Sequence, residues 1–178
     1  KTSFTLGESR MIFDSWFELH FTENPGMAFG WTLGGSFGKI VLTSFRIIAS
    51  IIIVYYIRSL INERAKTGLI LLVSLILAGA VGNIIDSLFY GQLFGASTYH
   101  TIAEVLPKTG GYAPFFMGNV VDMLYFPLID TMWPDWVPYF GGSRLQFFRP
   151  VFNIADAAIS VGVFTIVAFR KSLFEVTD

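Results

Sequence analysis

The sequence predicts an all-α polytopic membrane protein: a four-span helical bundle, its first span missing from this chain, with a small extracytoplasmic β-sheet element. Three observations carry that expectation. Of 178 residues, 53% are hydrophobic and only 14% are charged, where a soluble domain carries about 25% charged residues. Three apolar stretches approach the ~20 residues that a helix needs to cross a bilayer. The cations in their short flanks fall on one side of the spans. Composition also excludes classes. Twelve Lys and Arg against thirteen Asp and Glu leave a net charge of −1, with no basic block to hold nucleic acid. The absence of cysteine removes disulfide scaffolds, iron–sulfur sites and thiol nucleophiles. With two histidines and no H-E-x-x-H pattern, a zinc peptidase is excluded, and neither metal nor cofactor is expected.

The elements follow in chain order, within one domain. Residues 1–38 form an extracytoplasmic segment with small β-structure. There Phe17, Leu19 and Phe21 alternate with Glu18, His20 and Thr22, the period of a strand. Asn24-Pro25-Gly26 is a turn signal, so a small sheet is expected over 11–33. Residues 39–87 hold two transmembrane spans: Ile40–Ile57, interrupted by Arg46, and the uncharged Gly68–Ile85. Their connecting loop carries Arg58, Arg64 and Lys66. Residues 88–150 form an extracytoplasmic loop and an interfacial segment. Within them 91–114 shows no period and reads as loop. The apolar run Phe115–Ile129, broken by Asp122 and Pro127, reads as re-entrant or interfacial. Trp133, Trp136, Tyr139, Phe140, Phe147 and Phe148 suit the headgroup level. Residues 151–178 give the last span, Val151–Phe169 interrupted by Asp156, and a tail opening on Arg170 and Lys171. The excess of cations places the 58–66 loop and this tail in the cytoplasm. Three spans then leave Lys1 outside with no signal peptide before it, so one further span is expected in the whole protein.

Ionisable groups within a span are costly and mark function. Asp156 lies in the third span, with Asn153 and Ser160 on its helix face. Asp86 ends the second span, one turn after Asn83, and Asp122 lies in the broken apolar run. All three carboxylates are expected at one depth, near the outer surface. Two facing carboxylates can share a proton, because like charges push their titrations apart. The ionised one then activates water, and the protonated one polarises a carbonyl. Periodicity does not choose which two of the three react. The competing reading is a small transport or proton-relay protein, for which the spans are few and no inverted repeat is present. Asp130 and Asp135 read as solvated loop residues, His20 and His100 as surface residues, and Arg46 as snorkelling or pairing with a carboxylate. Gly34-Gly35-Ser36-Phe37-Gly38 matches a nucleophile elbow, and Ser36 with Lys39 matches S-x-x-K. The elbow needs a strand, a helix and a histidine around it; both are set aside as chance matches.

Four motifs stand in order. They are Asn24-Pro25-Gly26-Met27-Ala28-Phe29-Gly30, Gly82-Asn83-Ile84-Ile85-Asp86, Val121-Asp122-Met123, and Phe152-Asn153-Ile154-Ala155-Asp156-Ala157-Ala158-Ile159. Through them the chain resembles the bacterial lipoprotein signal peptidases, or signal peptidase II, whose motifs read N-x-G-x-A-F-G, G-N-x-x-D-R, an aspartate motif and F-N-x-A-D-x-x-I. The resemblance implies a four-span aspartic endopeptidase of the bacterial inner membrane, working near the extracytoplasmic face. It would cut the signal peptide of diacylglyceryl-modified prolipoproteins before the lipidated cysteine. It implies Asp122 and Asp156 as the catalytic pair, with Asn24, Gly26, Asn83, Asp86 and Asn153 orienting substrate or supporting the pair. Membrane lipids are the other expected partners, and a monomer is expected. Two departures stand out. The arginine of G-N-x-x-D-R is Ser87 here, with Arg149 or Arg144 as candidate replacements. Segment 91–114 is longer than the family's usual connection and reads as a lid or a substrate-contact loop.

Overall fold

The structure is a computed structural model that describes residues 1–13, 16–25, 35–147 and 150–175. Gly26 and Arg149, with the remainder of the segment 26–34, therefore lie outside the described residues. In chain order the elements are β1 (Ser9–Phe13), β2 (Phe17–Asn24), α1 (Gly35–Asn62), α2 (Thr67–Leu93), β3 (Val120–Tyr125), β4 (Ile129–Met132), β5 (Arg144–Phe147), β6 (Val151–Phe152), α3 (Ile154–Ala168) and α4 (Arg170–Phe174).

The first two apolar stretches become helices of 28 and 27 residues, both long and apolar enough to cross a membrane. Many of their residues are β-branched. In an apolar solvent, however, a lone segment satisfies its backbone only as a helix. Their polarity is turned inside out. On α1 the buried residues include Thr43 and Ser50, while Phe45 and Ile52 are more than 60% exposed. A helix in water shows the opposite pattern. The third stretch is helical over a shorter range than Val151–Phe169. Val151 and Phe152 pair in the sheet, and α3 has 15 residues. The helix starts where it does because Asn153 caps it: its Oδ1 accepts from the Asp156 N–H at 2.8 Å. Helices α2 and α3 pack closely through glycines. A Cβ on Gly79 would sit 2.3 Å from the Ala155 carbonyl oxygen, and one on Gly162 would sit 2.6 Å from Ile76 Cγ1.

The sheet beside the helices has the order β1-β2-β3-β6, all antiparallel. It is larger than the sequence suggested, because the apolar run Phe115–Ile129 contributes a strand to it. Its centre is strand β3, in which Val120 and Asp122 are both 2% exposed. An aspartate at an inward position hides the apolar alternation that marks a strand. Phe126 stacks between Phe17 at 4.8 Å and Phe152 at 5.7 Å and so ties β2, β3 and β6 together. Strands β4 and β5 form a separate two-stranded sheet. The connection from α2 to β3 is stitched down along its length. The Leu106 amide donates to the Leu93 carbonyl, Tyr112 to Phe94, Gly118 to Ser87, and Leu6 to Thr98, at 2.7 to 3.0 Å. It lies as a fixed cap over the end of α2.

Candidate active site

Asp122 enters the site from β3 and Asp156 from the first turn of α3. Two asparagine side chains join them. Asn153 Nδ2 donates to Asp122 Oδ1 at 2.7 Å and to Asn83 Oδ1 at 3.1 Å. Asn83 Nδ2 in turn donates to Asp156 Oδ1 at 2.7 Å. A third amide, Asn24 Nδ2 at the end of β2, donates to the other oxygen of Asp122 at 3.0 Å. Each amide is fixed by its element: Asn153 by the cap it makes, Asn83 by full burial on α2, and Asn24 by the ladder with Val120.

Asp86, one turn after Asn83, accepts from the Val121 amide at 3.3 Å and is also bonded by the Tyr90 side chain. It thus holds the strand that carries Asp122. The structure brings Asp86, Asp122 and Asp156 to one end of the helices, together with Asn24, Asn83 and Asn153. A cavity of about 420 Å³ opens beside them, lined by Asn83, Asp86, Tyr90, Val121, Met123 and Asn153 among others.

The electrostatics of Asp122 follow from this setting. Burial pushes Asp122 up to about 6, and the charges of Asp156 and Asp86 act the same way. The hydrogen bonds from Asn24 and Asn153 oppose this, because each favours the ionised form. On the other side, Arg46 of α1 lies close enough for its charge to interact with both Asp156 and Asp122. Among the described residues, no group of three or more His, Asp or Glu side chains is placed to hold a metal ion.

Other singled-out residues lie elsewhere. Ser87 is buried and donates to the Asn83 carbonyl at 2.8 Å, so its hydroxyl bonds within its own helix. Arg144 lies on β5, in the separate hairpin. Asp130, read as a loop residue, lies on β4, and Asp135 lies in the turn after it. Ser36 is exposed, while Lys39 Nζ donates to the Met117 carbonyl at 2.9 Å and to Asn119 Oδ1 at 2.6 Å. Glu23, Asn119, Tyr112 and Lys1 belong to no motif that the sequence singles out, yet they form a polar cluster with Lys39 next to Asn24. The one available signal was their place beside motif residues.

The sequence model of the signal peptidase (SPase) II family matches residues 1–171. The chain is 48% identical over 164 residues to a lipoprotein signal peptidase of Porphyromonas gingivalis, covering 92% of this chain and 70% of that protein. It is 41% identical over 169 residues to a lipoprotein signal peptidase of Amoebophilus asiaticus, covering 94% of this chain and 66% of that protein. A solved bacterial membrane enzyme shares the fold at a TM-score of 0.57 and 23% identity, over 99% of this chain and 82% of that one.

Proposed function

The chain belongs to the signal peptidase II family of aspartic peptidases, and from that premise we propose that Asp122 and Asp156 are its catalytic pair. The substrate is a diacylglyceryl-modified prolipoprotein, cut before the lipidated cysteine. The observation that carries the assignment is the amide bridge: Asn153 and Asn83 link one carboxylate to the other within hydrogen-bond distance. Asp86 is bonded to the Val121 backbone and to Tyr90 rather than to that bridge.

Asp122, pushed up to about 6, carries the proton that the pair shares, although the titration steps belong to both groups. Asp156 takes a proton from water, and the hydroxide attacks the scissile carbonyl carbon. Asp122 gives its proton to the carbonyl oxygen, so the tetrahedral intermediate carries no full negative charge. When the intermediate collapses, the C–N bond breaks. The proton held by Asp156 goes to the leaving amine, and Asp122 recovers its own from the hydroxyl. Asn24, Asn83 and Asn153 keep the carboxylates oriented, and Asp86 keeps β3 in place.

In this reading α1, α2 and α3 cross the bacterial inner membrane within a four-span bundle, with the sheet, the 88–150 region and the pair at its extracytoplasmic face. The enzyme works as a monomer, surrounded by membrane lipids. A substrate then reaches the pair sideways from the bilayer, where water is also present. The test is an incubation of the full-length enzyme in proteoliposomes with a lipid-modified prolipoprotein. The shortened product should appear on a gel, and a substrate lacking the lipid should be cut poorly. Asp122→Asn and Asp156→Asn should each lower turnover by at least about 10³-fold while the protein stays folded. Full turnover by either variant would remove that aspartate from the pair.

A further inference from the structure

We propose that Glu23 is a positioning residue for cleavage, locking the ends of β2 and β3 so that Asn24 and Asp122 meet; this rests on the assignment of Asp122 to the catalytic pair. Glu23 lies one residue before Asn24 and opposite Val121 in the ladder, next to the Thr22–Asp122 pairing. Its carboxylate is almost out of water, with 10% of the side chain exposed, and it forms an ion pair with Lys1, whose side chain is 4% exposed. Asn119 Nδ2 donates to its other oxygen at 3.0 Å. Asn119 is itself held from three sides. Its Oδ1 accepts from Lys39 Nζ at 2.6 Å, its backbone N–H donates to the Tyr112 hydroxyl at 2.5 Å, and its amide reaches Glu23. Lys1 Nζ also donates to Ser97 Oγ at 3.0 Å and lies 4.6 Å from the centre of the Tyr112 ring.

The buried carboxylate thereby joins the segment before β1 and the α2–β3 connection to β2, and through Asn119 it reaches Lys39 of α1, while the backbone of Glu23 pairs with β3. Glu23 reaches none of the candidate reacting groups. It acts through its chain neighbour Asn24, which bonds Asp122 at 3.0 Å, and through its hydrogen-bond partner Asn119, three residues before Asp122. A buried charge that loses one partner leaves that partner unpaired, so the cluster holds as a unit or loosens as a unit. Displacing a catalytic group by a fraction of an ångström is costly to rate even when binding persists. Gln at position 23 has the same shape but turns one oxygen into an N–H donor. It would face either the Lys1 ammonium or the Asn119 amide, both of which are donors.

The experiment uses the full-length enzyme in proteoliposomes with a lipid-modified prolipoprotein. It reads kcat, KM, the pH profile of kcat/KM and the thermal midpoint for Glu23→Gln, Lys1→Met and the double variant. Expected for Glu23→Gln is a fall in kcat of about tenfold with KM within about twofold. The basic limb of the profile should also move to higher pH, because a misplaced Asn24 no longer favours ionised Asp122. The charged groups facing Asp122 are Asp86 on α2, Asp156 on α3 and Arg46 on α1, and none of them is altered in these variants. Lys1→Met should shift kcat and the limb in the same directions. The double variant should be no worse than the more impaired single one, as befits groups acting together. An unchanged kcat and limb would overturn the proposal, as would a loss that merely follows the fraction of folded enzyme. If Glu23→Gln does not fold, Lys1→Met decides alone by the same criteria. Asp122→Asn, measured alongside, separates the two ideas: an active Asp122→Asn refutes the pair itself, whereas an inactive one beside a fully active Glu23→Gln refutes only the role of Glu23.

Discussion

Asn153 divides one amide between two tasks. Its oxygen caps α3, and its nitrogen serves Asp122 and Asn83. Serine at this position would keep a cap but would not supply the amide donor. Asn153→Ser should therefore leave the thermal midpoint within a few degrees and lower kcat by about 10- to 100-fold, measured on the lipid-modified substrate. The sign of the accompanying pH effect follows from Asp122. Its carboxyl is pushed up to about 6 mainly by burial, and the Asn153 bond pulls it down. A pair that works with one shared proton loses that proton as pH rises through its upper step near 6, so kcat/KM for the free enzyme should fall above it. Removing the Asn153 donor removes a lowering influence, and the basic limb should move to higher pH. A limb that stays put or moves to lower pH would contradict the bond's effect on Asp122. The sequence made Asp122, Asp156 and their asparagines legible because they stand in short motifs. Glu23, Lys1 and Asn119 were illegible because what makes them a unit is pairing across 22 and 96 positions of chain, which no local pattern records.

At the scale of elements, the α2–α3 contact sets the bridge. The 2.7 Å bond from Asn83 to Asp156 runs between these two helices, and Gly79 lies one turn before Asn83 on the same face. A side chain at Gly79 would meet the Ala155 carbonyl oxygen at 2.3 Å and Ile159 Cγ1 at 2.8 Å. A backbone carbonyl cannot swing away as a side-chain tip can, so the helices must separate. Gly79→Val should thus cost about 1–3 kcal/mol of stability through overpacking and at least about tenfold in kcat through the stretched bridge. Leu71→Val, on the same helix but 64% exposed toward the surroundings, is the control and should change neither. Thermal unfolding and turnover of both variants check the point. Helices α1 and α2 were legible from length and composition. Strand β2 was legible because Phe17, Leu19 and Phe21 alternate with polar residues. Strand β3 was not, since Val120-Val121-Asp122-Met123 places its polar residue on the buried face. The apolar stretch begins before α3 does, because Val151 and Phe152 are as apolar as the helix they precede, and only the cap at Asn153 marks the boundary.

For the whole molecule, the charges and the site define opposite ends. Along α2, Lys66 at the start and Asp86 near the end are separated by roughly 30 Å at 1.5 Å per residue, about the thickness of a bilayer's hydrocarbon core. The cations Arg58, Arg64, Lys66, Arg170 and Lys171 cluster at the end of the bundle away from the pair. The proposed orientation makes that end cytoplasmic, and it puts Asp122 and Asp156 at the outer boundary, where both water and lipid are available. The β4–β5 hairpin then has a defined place. It departs from β3 and returns to β6, two adjacent antiparallel strands that a short turn alone would join. Its excursion carries Trp136 at 81% exposure and Tyr139 fully exposed. In water such rings are a liability, but at the headgroup level they are favoured. The prediction concerns a variant keeping Trp136 as its single tryptophan, placed in bilayers that contain brominated lipids. Its fluorescence should be quenched more strongly by bromine near the headgroup than by bromine near the chain ends, and only weakly by aqueous iodide. Full quenching by iodide with none by bromine would lift the hairpin off the membrane. It would then undo the proposed placement of the pair at the bilayer boundary, because the hairpin lies in the chain between β3, which carries Asp122, and β6, which leads into α3 and Asp156.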